Sequence, residues 1–282
     1  MTAEADAGMV CSTDESAPTS ATVARRRWKK FRSTAVVLAT QIAILVAFLA
    51  FWDHMTSRDS AAAFMFGSPT AIAGFLVQMA RDGSLWRDLY VTGLETLLGF
   101  FVGNLVGTVI GLSLWYSWFV SRVVEPFVIA IGSIPIIALA PIIIIWFGTG
   151  LISKVAMSTL SVVIVALVTS YKGAVGVDPD QINLMRTLGA SKFQIFRKLV
   201  VPASLTDIFA GLKLTVGFAL IGAIVGEFMS SSEGLGHAIF KAGSLYIIPK
   251  VFAALVATIA LALILTFIVG KIERRLMPWR RQ

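Results

Sequence analysis

Charge is scarce in this chain. Asp, Glu, Lys and Arg make up 14% of its 282 residues, against 57% hydrophobic. Soluble domains carry about a quarter charged residues, so a water-soluble globular class is excluded, and a mean hydropathy of +0.83 points to a membrane. Cysteine occurs once, at Cys11, which excludes an intrachain disulfide. No apolar run precedes it, so it does not read as a lipid-attachment site. The two histidines, His54 and His237, lack ligand-spaced companions, and no metal site is expected. A G-x-x-x-x-G-K-[ST] phosphate loop is missing, so the chain does not hydrolyse ATP by that route. No G-x-S-x-G or other nucleophile–base constellation suggests catalysis, and no aromatic-basic patch suggests nucleic acid.

What is present is a series of long apolar runs. A span needs about 20 mostly apolar residues. Six stretches fit: 34–52, 88–114, 124–148, 151–171, 205–229 and 250–272. The expected fold is therefore an all-α membrane protein with six transmembrane helices. Residues 1–33 read as a disordered cytoplasmic tail, opening with Ala, Ser, Thr and acidic residues, and 34–282 as the transmembrane domain. The first run lacks a small-residue cleavage site and reads as a retained span rather than a signal peptide. With a cytoplasmic N-terminus and alternating spans, 17 of the 24 Lys and Arg residues fall on the inner side. Both termini are then cytoplasmic, and the net charge of +8 is a topology and anionic-lipid signal. Residues 69–80 are too short to cross. With Ser68-Pro69 as a start and Gly83 as a stop, they read as a helix lying on the outer interface.

Within the spans, several residues invite a role. Gly99, Gly103, Gly107 and Gly111 recur every fourth residue. They form a bare stripe that admits a second helix, or alternatively faces a ligand. Asn104 beside them is placed to hydrogen-bond a neighbouring helix. Pro126, Pro135 and Pro141 in the third run predict kinks. The freed carbonyls favour an interior span that lines the path, although the prolines could serve bundle shape alone. Glu95 is a carboxylate inside a span, which is costly and functional by default. It either faces the pathway or pairs with Lys213 or an interfacial Arg. Lys213 is placed to snorkel to the inner interface. Glu227 closes the fifth run ahead of Ser230-Ser231-Ser232 and Gly234-Leu235-Gly236, a candidate gate or contact site, or merely a tight turn.

The polar segment 178–202, DPDQINLMRTLGASKFQIFRKLVVP, has helical spacing on both sides of Gly189-Ala190-Ser191. It reads as two short helices joined by a sharp turn, with Pro202 marking re-entry into the membrane. A solvated loop without a partner is the bland alternative. Ser204 and Asp207 fit S-x-x-D, a capping-box start for the fifth span.

This loop, together with LLGFFVGNLVGTVIGL, IPIIALAPIIIIWFGTG, GEFMSSSEGLG and ERRLMPW, resembles the permease subunits of ATP-binding-cassette (ABC) importers of the nitrate/sulfonate/taurine branch. The likeness covers about 68–279. It implies a type I importer permease fold in the inner membrane, working by alternating access. The implied partners are two cytoplasmic ATPase subunits, which carry ATP and magnesium, an external substrate-binding protein and a second permease copy. No cofactor belongs to this chain itself. By the same resemblance, 178–202 is the ATPase-coupling loop, with Asn183, Leu184, Met185, Arg186, Gly189, Ala190 and Pro202 as its residues. Glu95, Pro135, Pro141, Lys213 and Glu227 are the pathway or gating candidates. The family's loop opens Glu-Ala-Ala, where this chain has Asn183-Leu184-Met185. That departure removes a carboxylate and substitutes a larger apolar knob. Glu95 stands where many relatives carry Arg, which leans away from a small inorganic anion. Nitrate, sulfonates, taurine and pyrimidine or thiamine precursors are the implied cargo classes. The rival reading is an ion-coupled secondary transporter or channel using Glu95 and Glu227.

Overall fold

A computed structural model describes residues 20–276. Cys11, most of the expected tail and the last six residues lie outside the described residues. Among the described residues every regular element is helical: α1 Ser20–Arg58, α2 Ser60–Phe66, α3 Pro69–Arg81, α4 Ser84–Leu114, α5 Trp118–Gly132, α6 Ile136–Phe147, α7 Leu151–Val175, α8 Pro179–Thr187, α9 Lys192–Ile195, a π-helical turn Phe196–Val200, α10 Val201–Ser230, α11 Leu235–Ser244 and α12 Ile248–Leu276. Helix α1 thus begins inside the segment expected to be disordered.

The centre of the molecule is a layer of three helices, α4, α7 and α10. Lipid gives apolar helices no hydrophobic reason to associate, so close backbone approach must supply the attraction. The α4 stripe does this. Gly99 faces Ser158, Gly103 faces Val162, Gly107 faces Val163 and Ala166, and Gly111 faces Leu167. A second glycine face, not anticipated from the sequence, lies on α10: Gly211 meets Thr169, Gly222 meets Ser158 and Gly226 meets Lys154. Helix α7 is therefore gripped from both sides, parallel to α4 and antiparallel to α10. Ser158 Oγ donates to the Ala219 carbonyl at 2.9 Å, buried between them.

Five helices are long and apolar enough to cross a membrane, and α5 with α6 forms a sixth candidate bent by 92°. Contacts along α7 show how this pair runs. Ser121 hydrogen-bonds Tyr171, Gly132 lies against Ile164, and Ile143 packs with Met157. The pair follows α7 end to end, so it is one broken span, not the continuous helix expected over 124–148. The break falls at Ser133–Pro135, where Pro135 caps α6, while Pro126 and Pro141 sit within helices. Nor is this span interior to the subunit. Ser121, Ala140 and Ile143 are its buried residues, and Phe127, Ile131, Ile145 and Trp146 are exposed.

The remaining helices pack around this layer. Helix α12 closes it through Leu261 and Leu265, which join Phe100, Val162, Val216 and Leu220 in the main core. Helix α3 starts with the Ser68 cap, whose hydroxyl accepts from Ala71 N–H, and buries Ile72 and Met79 against Ala253 of α12. Helix α1 is exposed along 36–51 and touches the bundle near its end, where Trp52 meets Phe252.

Candidate functional site

Two sites lie at opposite ends of α10. The first is the 178–202 loop. Asp178 caps α8 through Asp180 N–H. Helix α8 then ends in a Schellman motif: Gly189 N–H bonds the Arg186 carbonyl at 2.9 Å and Ala190 N–H the Met185 carbonyl at 3.0 Å. That motif places a left-handed residue after the helix, which Gly189 provides at φ 78°. Ser191 and Gln194 form a reciprocal capping box that starts α9. The turn is held to the bundle by Ile182, Met185, Ala190 and Phe196, packed against Ala174, Val177, Ile195 and Val200. Phe196 also stacks on Trp115, and Lys192 Nζ donates to the Tyr116 carbonyl at 2.6 Å. Leu184, Leu188 and Phe193 point the other way, 60%, 73% and 59% exposed. The loop is thus a rigid knob with an unpartnered apolar tip.

Two expectations about this region need correction. Pro202 does not interrupt the chain's entry into the bundle. The π turn bonds Val201 N–H to the Phe196 carbonyl, and this widened turn gives the Pro202 ring room that an α turn would deny. Helix therefore runs unbroken over Lys192–Ser230. Ser204 and Asp207 do not cap it either. They lie inside α10, where Ser204 Oγ donates to the Val200 carbonyl and Asp207 packs over Gly173. The working capping box is the Ser191–Gln194 one.

The second site lies near the far end, around Glu227. Its carboxylate accepts from Thr92 Oγ at 2.6 Å and from Gly236 N–H. Thr92 Oγ in turn accepts from Leu235 N–H at 2.8 Å, and Asp88 accepts from Gly234 N–H at 3.0 Å. The first N–H groups of α11 are thus satisfied by side chains of α4 and α10. Both loop glycines are sterically required, because a Cβ on either would lie 2.7 Å from Glu227 Oε2. Gly234 also has φ 103°. The Gly-Leu-Gly segment is a wrap around a carboxylate.

Glu95 belongs to this cluster. It is buried beside Glu227, with Lys154 in electrostatic range, and is not paired with Lys213, whose ion pair is with Glu273 of α12. Glu95 Oε2 and Thr96 Oγ are buried without a hydrogen-bond partner. Asn104 joins α10, accepting from Thr215 Oγ at 3.0 Å. An apolar groove of about 630 Å³ opens between α4, α10 and α12, lined by Thr96, Phe100, Asn104, Phe209, Val216 and Leu265. Among the described residues no group of three or more His, Cys, Asp or Glu could hold a metal ion. Thr92, Asp88 and Ser158 were not foreseen from the sequence.

The family model described as binding-protein-dependent transport system inner membrane component matches residues 103–278. The chain belongs to this family. The permease is 33% identical over 230 residues to a probable ABC transporter permease protein of Haemophilus influenzae, covering 82% of this chain and 93% of that one. It is 32% identical to the formylaminopyrimidine transport permease protein ThiX of Halalkalibacterium halodurans, over 77% and 89% of the two chains. It is 25% identical to the taurine transport system permease protein TauC of Escherichia coli, over 90% and 94%. A solved MetNI methionine ABC transporter in an inward-facing conformation shares the fold, with a TM-score of 0.62 over 70% of this permease and 97% of that chain, at 21% identity. The permease is therefore a multi-pass inner-membrane subunit of an ABC importer and not itself the catalytic component.

Proposed function

We propose that this permease imports a small organic solute by alternating access, driven by ATP and magnesium on two cytoplasmic ATPase subunits that grip the Gly189 turn. The observation that carries this reading is the shape of the loop: a fixed base, an exposed Leu184–Leu188–Phe193 tip, and a helix running without interruption from it to the far end of the bundle. Such an element passes on force, where a solvated loop would not. In this reading both termini are cytoplasmic, because the loop end gathers Arg186, Lys192, Arg197, Lys198, Lys271, Arg274 and Arg275, as the positive-inside rule requires. A second copy of the permease completes the path, and an external binding protein delivers the solute. Relatives named for formylaminopyrimidine, riboflavin, aliphatic sulfonates and taurine support a small solute of this kind as the cargo. Ion-coupled secondary transport is disfavoured by the family.

The test is capture. With Cys11 replaced by Ser, a Leu188→Cys variant carrying a short photoactivatable thiol reagent is expected to cross-link a nucleotide-hydrolysing subunit in the intact membrane complex. Solute uptake into vesicles that proceeds without that subunit would overturn the reading.

A further inference from the structure

We propose that Glu227 is a positioning residue: its carboxylate is the catch that holds α11 against α4 and α10, and the stroke of the loop-driven helix releases it. This rests on the permease reading above and adds to it the element that moves at the far end.

Helix α11 lacks a cap of its own. Its N-cap residue is Gly234, which makes no side-chain cap hydrogen bond. Helices are ordinarily started by a Ser, Thr, Asp or Asn at that position. Here the same donors are satisfied across the fold, by Asp88 and Thr92 of α4 and Glu227 of α10. The start of α11 therefore exists only while α4 and α10 hold their present relation. A local cap would leave α11 indifferent to that relation.

The catch is also within reach of the motor. Lys192 and Glu227 stand on one continuous helical rod, about 50 Å apart at 1.5 Å per residue. A tilt of about 2° at the loop end displaces Glu227 by roughly 2 Å over that length. The 2.6 Å hydrogen bond from Thr92 to Glu227, and the one from Gly236 N–H, do not survive such a displacement, since hydrogen bonds fail beyond about 3.5 Å. Small motion at the coupling loop is thus enough to open the catch. The glycines fix the geometry tightly, with Gly234 and Gly236 closed around the carboxylate. Beside it, Glu95 Oε2 is buried without a hydrogen-bond partner, an acceptor at hand when the donors of α11 leave Glu227.

The surface pair Arg87–Glu233, 3.5 Å apart and exposed on both sides, reports on the catch without belonging to it. In a Cys11→Ser background, Arg87→Cys and Glu233→Cys are spin-labelled in the permease–ATPase complex in liposomes. The distance is compared without nucleotide and with ATP plus vanadate. We expect a shift of about 3 Å or more on vanadate trapping. In Glu227→Gln the shifted population should be present without nucleotide. Bridging the two cysteines with a short bis-methanethiosulfonate should lower ATP turnover at least fivefold, reversibly with reductant. Unchanged distances in both states, or unchanged turnover in the bridged complex, overturn the catch. Failure of Leu188→Cys to capture an ATPase overturns the permease reading itself, so the two failures are told apart.

Discussion

Replacing Gly107 with Ala tests the central packing argument most directly. A Cβ at Gly107 would stand 2.7 Å from the Ala166 Cβ, 3.0 Å from Leu167 N, and closer still to the Val163 carbonyl oxygen. Two of these three neighbours are backbone atoms of α7, so no rotamer change relieves the clash. Helix α7 must back away by up to about 1 Å. A gap of that size forfeits a quarter to a half of each dispersion contact across it. Overpacking of this kind costs about 1–3 kcal/mol, or roughly 2–12 °C of melting temperature for a chain of this size. The matched control is Gly217→Ala, an exposed position in α10 where a Cβ meets nothing within 4 Å. There the change relieves the helix cost of glycine and stabilises by about 0.5–1 kcal/mol. Thermal unfolding of both variants in detergent, followed by tryptophan fluorescence or light scattering, decides the matter. A Gly107→Ala protein as stable as Gly217→Ala would refute the claim that bare backbone contact holds α4 to α7.

Other outcomes follow from the same structure. Thr92→Val removes the donor to Glu227 and orphans Leu235 N–H, costing about 2–4 kcal/mol at roughly 1–2 per lost partner, whereas Thr92→Ser stays near neutral; chemical denaturation of the two variants checks this. Ser158→Ala deletes one buried hydrogen bond to Ala219 and lowers stability by about 0.5–1.5 kcal/mol, while Ser158→Val, bulkier beside Gly99, costs more. Leu188→Glu, at an exposed tip, leaves the melting temperature unchanged but reduces ATPase recovered on affinity purification at least tenfold. A double-mutant cycle on Lys213 and Glu273, both changed to Ala, gives a coupling energy of about 1 kcal/mol or more; a value of zero would show that their ion pair does not stabilise the bundle.

What could be read from the sequence was what repeats or lies close in the chain. The α4 stripe shows as glycines at a spacing of four, and the loop as two helical stretches around a glycine. The cluster at Glu227 was hidden because its partners are remote: Thr92 is 135 residues away and Asp88 lies 146 residues from Gly234. Glu95 and Glu227 each stood out as a carboxylate in an apolar run, but nothing local said they would meet. The glycine face of α10 escaped notice because Gly211 and Gly222 are eleven residues apart, three turns rather than one. The third run misled through its prolines, each a plausible break, when the bend falls between α5 and α6 at Ser133–Pro135. Pro202 misled in the opposite way, because a π turn accommodates it.

Because α7 is clasped on both flanks by side-chain-free surfaces, it has no slack in which to slide: any shift along either neighbour would drive bulk into backbone. The three helices therefore cannot slide along one another, and what stays open to α10 is a tilt of the few degrees that release Glu227. Whatever opens and closes this transporter has to work through small tilts and through the layer's rim, at the elbow after Gly132 and the wrap before α11, and substitutions that loosen the packing inside the layer should cost stability before they alter transport.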